Sequence, residues 1–391
     1  MNLTNLNFYK DYIFSCNRCK SCTMTDDEQL LPICPPFDTR NFFSYCGGGK
    51  AHIAQAIVND EAKRLEEISE YFYKCTMCMA CRTMCPVALD HYYLIRDVRQ
   101  LLYENNAGIS DAVKNIFSSM NAHNNPWELP AEAKGEWLFD LGVKDLRHDD
   151  AEVLYYVGCY SAYREKSPNA AENAVRILLK AGVDFGILGN GEICCGLPAC
   201  DLGNLKLFKA LAEKNLEKFS KLSVKEIIVS DPHCYSCFVN NYPEISSDMP
   251  PVVHITDFIL QLVEEGKLTL KKQFSQKVTF HDPCRLGRFT DIYNAPRKIL
   301  ESVIQGKIIE MPRNRAFAYC CGNGIGVKET YPDLWEYSTG VRLAEAKQTE
   351  AELIITACPY CAESFHEFQE RSGHNNAMRS VDLLHMVAAS I

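Results

Sequence analysis

The sequence lacks the features of a membrane-spanning, secreted or nucleic-acid-binding protein. No apolar run in its 391 residues approaches the roughly 20 residues needed to cross a bilayer. The segment 1–10 is polar and has no charged stretch followed by an apolar one, so no signal peptide is expected. The formal net charge of −9 argues against nucleic acid as a general partner. We therefore expect a cytoplasmic protein that reaches a membrane, if at all, through a partner.

The glycine fingerprint of nucleotide cofactor sites is also missing. No Gly-x-Gly-x-x-Gly motif occurs, so this chain is expected to have no flavin or nicotinamide site and to depend on a partner for either. The segment 44–50 (SYCGGGK) fails the phosphate-loop pattern, because Ser44 replaces the first glycine and Ala51 follows Lys50. We expect a glycine-rich loop beside a metal cluster there, with backbone N–H groups that hydrogen-bond to cluster sulfurs.

Cysteine, in contrast, is abundant: eighteen of the twenty cysteines fall into four metal-binding patterns. A disulfide scaffold is typical of small secreted proteins. This chain is long, and its 47% hydrophobic residues can build a core without cross-links. C-x2-C pairs suit metal ligation, since neighbouring thiolates converge on one ion or cluster. The two remaining cysteines, Cys46 and Cys200, are expected to be small buried hydrophobic residues.

The first ninety residues contain two cysteine runs typical of bacterial two-cluster ferredoxins. In that pattern three closely spaced thiolates wrap one cubane [4Fe-4S] cluster, and a more distant Cys-Pro ligates the other cluster. A four-cysteine zinc site is the alternative, but such sites usually come as two C-x2-4-C pairs. The predicted ligands are Cys16, Cys19, Cys22 and Cys85 for cluster 1, and Cys75, Cys78, Cys81 and Cys34 for cluster 2.

We expect this module, residues 1–105, to be mostly helical. Residues 54–74 carry apolar side chains at helical spacing, and a second helix is predicted over 89–103, after Pro86. A connector follows at 106–150, where prolines, glycines and a charged run mark breaks and exposed surface.

Residues 151–391 contain an internal repeat. Each copy has a lone Cys, then Cys-Cys-Gly, then C-x2-C, and the copies are offset by 124 to 126 residues. Short buried strands alternate with helices, which predicts α/β layers around parallel sheet in a first domain, 151–270, and a second domain, 271–391. Strands that end on cysteines should bring the thiolates to one sheet edge. The first set is Cys159, Cys194, Cys195, Cys234 and Cys237, and the second set is Cys284, Cys320, Cys321, Cys358 and Cys361.

Five cysteines in each copy exceed the four that a cubane needs, and adjacent cysteines suit an extended cluster with several irons. Gly196 and Gly322, which follow the pairs, allow positive φ or close backbone approach. His233 and His281 could add imidazole ligands, although a histidine beside a metal site can instead support a ligand from the second sphere. The basic residues of the second copy could hold an anionic substrate or form solvated surface. They are Arg285, Arg288 and Lys328.

With CNRCKSC…CP, CTMCMACRTMCP and two copies of C…CCG…CxxC, the chain resembles the heterodisulfide reductase B/D family of Cys-Cys-Gly-domain iron–sulfur oxidoreductases. It is most similar to the D-type fusion, in which an α-helical two-cluster ferredoxin module precedes a duplicated α/β Cys-Cys-Gly domain. The resemblance implies one noncubane [4Fe-4S] cluster on each five-cysteine set. If the chain is itself catalytic, the resemblance gives that role to the paired ligands Cys194, Cys195, Cys320 and Cys321.

Two functions are compatible with these motifs. The first is an electron-transfer subunit of an anaerobic redox complex, working with an electron-transferring flavoprotein or another flavin subunit or dehydrogenase. A membrane cytochrome or a quinone-reducing protein could be a further partner. The second is a catalytic subunit that cleaves a heterodisulfide between two noncubane clusters. A sensor or scaffold is disfavoured, because four cluster sites exceed what sensing needs.

Overall fold

The computed structural model describes residues 10–26, 28–62, 64–163, 170–373 and 378–391, except for the side chain of Tyr12. Residues 1–9, where no signal peptide is expected, lie outside this description. The chain divides into two compact units. Unit 1 contains 1–118, 198–208 and 313–342, and unit 2 contains 119–197, 209–312 and 343–391. The sequential boundaries near residues 105, 150 and 270 stay predictions.

The N-terminal region is helical, as predicted. The expected helix over 54–74 is, however, two helices separated by the segment 59–64, where Asp60 has φ 58°. The helix predicted over 89–103 is confirmed, and it begins at His91 because the Asp90 carboxylate accepts a hydrogen bond from the Tyr92 N–H at 3.1 Å. The helices are α1 (Lys10–Phe14), α2 (Pro35–Arg40), α3 (Gly47–Val58), α4 (Leu65–Tyr73), α5 (Ala80–Thr83), α6 (His91–Glu104) and α7 (Asp111–His123).

One buried arginine organises this part of unit 1. Arg99, on α6, is fully buried and donates hydrogen bonds to the carbonyls of Phe72 and Cys75 at 2.7 and 2.6 Å. It also donates to the Asp201 carbonyl at 2.8 Å. A buried guanidinium is tolerated only when its donors are satisfied. The end of α4 and the start of the second cysteine run are therefore fixed to α6.

Unit 2 is an α/β structure built on two parallel sheets, which confirms the predicted fold class. The larger sheet has the order β1-β3-β2-β4-β5 and the smaller has the order β6-β7-β8. In the larger sheet Leu154 pairs with Gly186 on one side and with Ile227 on the other. The strands are β1 (Lys144–Asp145), β2 (Val153–Tyr156), β3 (Phe185–Ile187), β4 (Glu226–Val229), β5 (Val252–His254), β6 (Val278–His281), β7 (Leu353–Thr356) and β8 (Arg379–Asp382).

The two copies of the repeat differ in one predicted strand. In the first copy the strand before Cys-Cys-Gly forms as β3, but in the second copy the corresponding segment makes only isolated parallel bridges at Ile304 and Ile308. The prediction of a strand there is wrong, because the pairing never extends past single residues. The remaining helices are α8 (Cys159–Tyr163), α9 (Ala170–Lys180), α10 (Leu197–Leu202), α11 (Leu205–Phe219), α12 (Pro232–Asn240), α13 (Ile255–Glu264), α14 (Cys284–Thr290), α15 (Asn294–Val303), α16 (Val327–Thr330), α17 (Pro332–Gln348), α18 (Pro359–Ser372) and α19 (Leu383–Ala389).

The two copies share one hydrophobic core in unit 2. Helix α9 of the first copy packs on α19 of the second, and α13 packs on α15. The core includes Ile177, Ile228 and Ile355, all fully buried. The predicted closing helices are confirmed as α13 and α19, each capped by the last residue of the preceding strand. Among the described residues, no helix combines the length and hydrophobicity that a bilayer crossing requires.

Candidate metal centres

The four cysteines predicted for cluster 2 line one enclosed cavity in unit 1. Met77 and Met79, which alternate with them, have positive φ angles of 54° and 64°, so the loop curls around the cavity. Lys50 and His91 also line it. A buried cation and four thiols in one cavity fit a negatively charged iron–sulfur cluster. The cysteines are Cys34, Cys75, Cys78 and Cys81.

The thiols of this cavity disfavour carrying charge in the absence of a cation. Burial raises the pKa of Cys34 to about 12, against the lowering effect of Lys50. Burial likewise raises the pKa of Cys81 well above its usual range, and the nearby Cys75 and Cys34 add to the rise. Four thiolates would be stable together only if bound cationic iron balanced their charge.

The cysteines predicted for cluster 1 lie together in a more exposed part of unit 1. Cys16 lies within electrostatic range of Cys22, Cys85 and Cys19. Cys19 is exposed, Cys16 and Cys85 are half-buried, and Cys22 is buried. The structure thus brings Cys85 to the first run and Cys34 to the second, which is the crossed arrangement that the sequence predicted.

The glycine segment is a helix start and not the loop that was predicted. Gly47 to Gly49 form the first turn of α3, and Cys46 is its N-cap. The expected contact to a ligand sulfur is present, because the Gly48 N–H donates to Cys22 Sγ at 3.2 Å. Cys46 is fully buried, as expected, but its Sγ also lies 3.6 Å from Cys22 Sγ. Helix N–H groups therefore face a proposed cluster ligand.

The five cysteines of the first copy converge in unit 2. Hydrogen bonding with Cys194 lowers the pKa of Cys159. Contacts with Cys194, Cys234 and Cys237 together lower the pKa of Cys195 well below its usual range. All five are buried, and they come from the ends of β2 and β4 and from the segment after β3. One contiguous group of five buried thiols exceeds the needs of a single small ion and fits a cluster of several irons.

The Cys194–Cys195 backbone is held by buried polar side chains. The Asn215 amide donates to the Cys194 carbonyl at 3.0 Å, and the Tyr242 hydroxyl donates to the Cys195 carbonyl at 3.0 Å. Gly196 has φ 87°, and its N–H donates to Cys194 Sγ at 3.5 Å. The prediction of a positive φ after the pair is confirmed here and at Gly322, with φ 86°.

Sequence reasoning missed a buried ion pair beside this group. Lys134 Nζ lies 3.3 Å from Cys159 Sγ and 3.0 Å from the Glu192 carboxylate, and the two charged side chains are only 2% and 1% exposed. Glu192 in turn accepts from the N–H groups of Val157 and Gly158 at 2.8 and 3.0 Å. The connector was predicted to be exposed, yet it supplies this buried cation. Only the hydrogen-bond needs of buried charges, which folding reveals, could have found it.

The second set of cysteines is divided between the compact units. Cys284, Cys358 and Cys361 belong to unit 2, whereas Cys320 and Cys321 belong to unit 1. Within unit 1, the Gly322 N–H donates to Cys320 Sγ at 3.4 Å, as its counterpart does in the first copy. The Cys321 carbonyl accepts from the Thr339 hydroxyl at 2.7 Å. The local geometry of the Cys-Cys-Gly turn is thus repeated.

One of the two candidate histidines contacts a cysteine of the other copy. His233 Nδ1 lies 3.2 Å from the Asp231 carboxylate, and the ring is hydrogen-bonded to Cys358. These contacts raise the pKa of His233 well above its usual range, even though burial acts in the opposite direction. Tyr360 stacks on the His233 ring with centroids 4.3 Å apart. His281 is buried and packs edge-on against Phe365.

The remaining residues singled out from the sequence are not mere surface. Arg285 is buried, with its guanidinium 4.0 Å from the centre of the Phe289 ring. Lys328 lies over Trp335 at 4.7 Å. Cys200 is fully buried in unit 1, as expected of a small hydrophobic residue.

Comparison with known protein families matches the cysteine patterns. A cysteine-rich domain model (CCG) matches residues 153–238 and 278–366. A 4Fe-4S dicluster domain model matches residues 10–89. Together these matches support iron–sulfur clusters as the bound groups in both parts of the chain.

Curated proteins with similar sequences are iron–sulfur oxidoreductases. The EtfAB:quinone oxidoreductase of Syntrophomonas wolfei is 34% identical over 75% of this chain and 43% of its own. The probable iron-sulfur-binding oxidoreductase FadF of Bacillus subtilis is 32% identical over 82% of this chain and 47% of its own. The D-type subunit of the dihydromethanophenazine:CoB–CoM heterodisulfide reductase of Methanosarcina mazei is 29% identical over 89% and 87%, respectively. The chain thus spans less than half the length of the first two.

Proposed function

The chain belongs to the family of iron–sulfur oxidoreductases in which a dicluster ferredoxin domain is joined to Cys-Cys-Gly domains, and from this premise we propose that it is the electron-transfer subunit of an anaerobic redox complex. It would relay electrons between a flavoprotein or dehydrogenase partner and the Cys-Cys-Gly sites. The name of the Syntrophomonas relative favours an electron-transferring flavoprotein as that partner. A membrane cytochrome or quinone-reducing protein could be a second partner, with this chain on the cytoplasmic side.

The observation that supports this proposal most strongly is the convergence of five buried thiols in unit 2. We assign a noncubane [4Fe-4S] cluster to Cys159, Cys194, Cys195, Cys234 and Cys237. By the sequence repeat alone, we assign another to Cys284, Cys320, Cys321, Cys358 and Cys361. Two cubanes complete the set, one on Cys16, Cys19, Cys22 and Cys85 and the other on Cys34, Cys75, Cys78 and Cys81. When bound, such clusters supply one-electron storage and transfer.

The protein's own side chains then set how easily each site takes an electron. Lys134 places a cation beside Cys159, and Lys50 places another in the cluster 2 cavity. The Gly48 N–H donates to Cys22 Sγ. Cations and hydrogen-bond donors near ligand sulfurs favour the reduced, more negative state.

Metal analysis tests the proposal directly. Anaerobically purified protein should contain about sixteen iron and sixteen acid-labile sulfide per chain, because four clusters of four irons are assigned. The Cys195→Ser variant should lose about four of each, whereas Cys200→Ser, which changes another buried cysteine, should lose none. About eight iron together with bound zinc would contradict the noncubane assignment.

The alternative, a catalytic subunit that cleaves a disulfide, is not favoured by the relatives. It can be separated from the carrier role by an assay with reduced viologen and a disulfide substrate. A carrier accepts electrons from viologen without turning over the disulfide. Turnover that is lost in Cys194→Ala and Cys320→Ala, with the cubane signals intact, would instead support catalysis.

A further inference from the structure

The two ferredoxin-like runs of unit 1 have the same backbone path but opposite surroundings. Arg18 and Lys20 in the first run have φ angles of 60° and 68°. Met77 and Met79, at the equivalent positions of the second run, have φ angles of 54° and 64°. The two basic residues are exposed, whereas each methionine is only 4% exposed. One backbone design thus presents cations to solvent at cluster 1 and apolar side chains to the interior at cluster 2.

The surface around cluster 1 also contains accessible thiols and an apolar rim. Cys19 is exposed, and Cys16 lines an open groove together with Phe14, Phe43 and Arg18. Phe14 is 44% exposed. The groove contains one acidic residue, Glu61. Aromatic and arginine side chains around a reactive centre are typical of protein–protein interfaces.

The position of Arg18 on this surface is fixed by a neighbour. Its Nε donates a hydrogen bond to His52 Nε2 at 2.9 Å, and His52 lines the same groove. The guanidinium therefore stays beside Cys16 and Cys19. The chain as a whole carries a net charge of −9, so a fixed cation at this surface stands out against the general charge.

We propose that the surface formed by Phe14, Cys16, Arg18, Cys19 and Lys20 is the electron port of unit 1, and that it docks a redox protein whose cofactor lies within an acidic surface. The inference rests on the proposed function, because it requires cluster 1 on these cysteines. In the exchange, the partner's cofactor loses one electron and cluster 1 gains it, with no atom transferred. Opposite charges steer the partner to this surface and orient its cofactor toward Cys19.

The position and charge of the port can be tested without a partner, by electron paramagnetic resonance of the reduced, cluster-loaded protein. The probes are two dysprosium chelates of similar size, one anionic (dysprosium–EDTA) and one neutral (dysprosium–HEDTA). The anionic chelate should relax the cluster 1 signal more strongly than the neutral one, and neither should strongly affect cluster 2. The double variant Arg18→Glu, Lys20→Glu should abolish the preference for the anion.

Docking is tested by the rate of electron transfer from a reduced flavodoxin, used as a small acidic flavoprotein probe. The wild-type rate should fall about tenfold between low and high ionic strength, since exposed charges are screened by salt. The double variant should be about tenfold slower at low salt and nearly independent of salt. The matched control is Lys209→Glu, Lys221→Glu, which changes two exposed lysines of unit 2 by the same total charge.

The outcomes separate this inference from the proposed function. Missing iron, or clusters that viologen cannot reduce, would contradict the proposed function itself. Fully loaded, reducible clusters with equal relaxation by both chelates and equal rates in the two double variants would overturn the port alone. If the glutamate variant fails to load cluster 1, Arg18→Gln with Lys20→Gln removes both charges more mildly, and an unchanged rate there would overturn the port equally.

Discussion

The ammonium nitrogen of Lys134 lies 3.3 Å from Cys159 Sγ, in a position shielded from solvent. The second copy of the repeat has Ala318 where the first has Glu192, each two residues before its cysteine pair. The carboxylate that balances Lys134 thus belongs to the first copy only. This difference gives the two Cys-Cys-Gly sites unequal electrostatic surroundings, and it leads to the first prediction.

Replacing Lys134 by Met should lower the midpoint potential of the first Cys-Cys-Gly site. A buried unit charge at this distance is worth a few kcal/mol, of which Glu192 offsets a part, so we expect a drop of roughly 50–100 mV. A redox titration followed by electron paramagnetic resonance measures it, with the cubane signals as internal references. Lys209→Met, an exposed change, is the control. A shift under about 10 mV would show that Lys134 does not act on this site.

Replacing Lys50 by Met should lower the potential of cluster 2 and leave that of cluster 1 unchanged. Lys50 is buried and lines the cavity of the four cluster 2 cysteines, and its ammonium donates to the Tyr45 carbonyl. We expect a drop on the order of 50 mV or more in the same titration. Because both cubanes are measured in one sample, an equal change in both would point to a general distortion of the fold.

Replacing His233 by Phe should lower the potential of the site that includes Cys358. The ring is held by Asp231 and hydrogen-bonded to Cys358, and its pKa is raised by these partners. Losing one charged donor to a ligand sulfur should cost about 50 mV, and Asp231→Asn should have a smaller effect in the same direction. The control is His254→Asn, a buried histidine that caps α13. The same shift in that variant would contradict a specific role for His233.

Asp382 should make the stability of unit 2 depend on pH. Its carboxylate caps α19 by accepting from the Leu384 N–H at 2.9 Å, and burial raises its pKa from 3.8 to about 7. The folded state therefore holds this proton more tightly than the unfolded state does. The free energy of unfolding should fall as pH rises from about 4 to about 7 and then level off, by at most about 4 kcal/mol.

Asp382→Asn keeps a capping oxygen but removes the titration. Its unfolding free energy, measured by denaturant titration of the cluster-loaded protein, should exceed that of wild type increasingly as pH rises toward about 7. Below about pH 4 the two proteins should be nearly equal. A constant difference between them across this range would show that Asp382 is not the titrating group.

The parts of the sites that sequence predicted share a short-range origin. Cys75, Cys78 and Cys81 are close in the chain, so their spacing alone brings them together. Gly196 and Gly322 are needed by a local turn with positive φ, which is also visible in sequence. The helix over His91–Glu104 follows from apolar periodicity and the Asp90 cap.

The elements that sequence mispredicted depend on distant contacts. The second copy contains the apolar residues for a strand around Ile308, but only isolated bridges form there. The glycine segment 47–49 reads as a loop by its composition, yet it begins α3. Glycine permits many conformations, so its local preference is weak and the tertiary contacts decide.

The sequence by itself determined the kind of protein: its cysteine spacing specifies cluster ligands, and its strand–helix alternation specifies the α/β repeat. Only the tertiary structure decided which charges accompany those ligands. Lys134 precedes Cys159 by 25 residues in a connector that looks exposed, and folding buries it beside Glu192. The physical reason is range. Ligation depends on neighbours along the chain, whereas the field at a buried site depends on every charge that folding brings within a few ångströms of it.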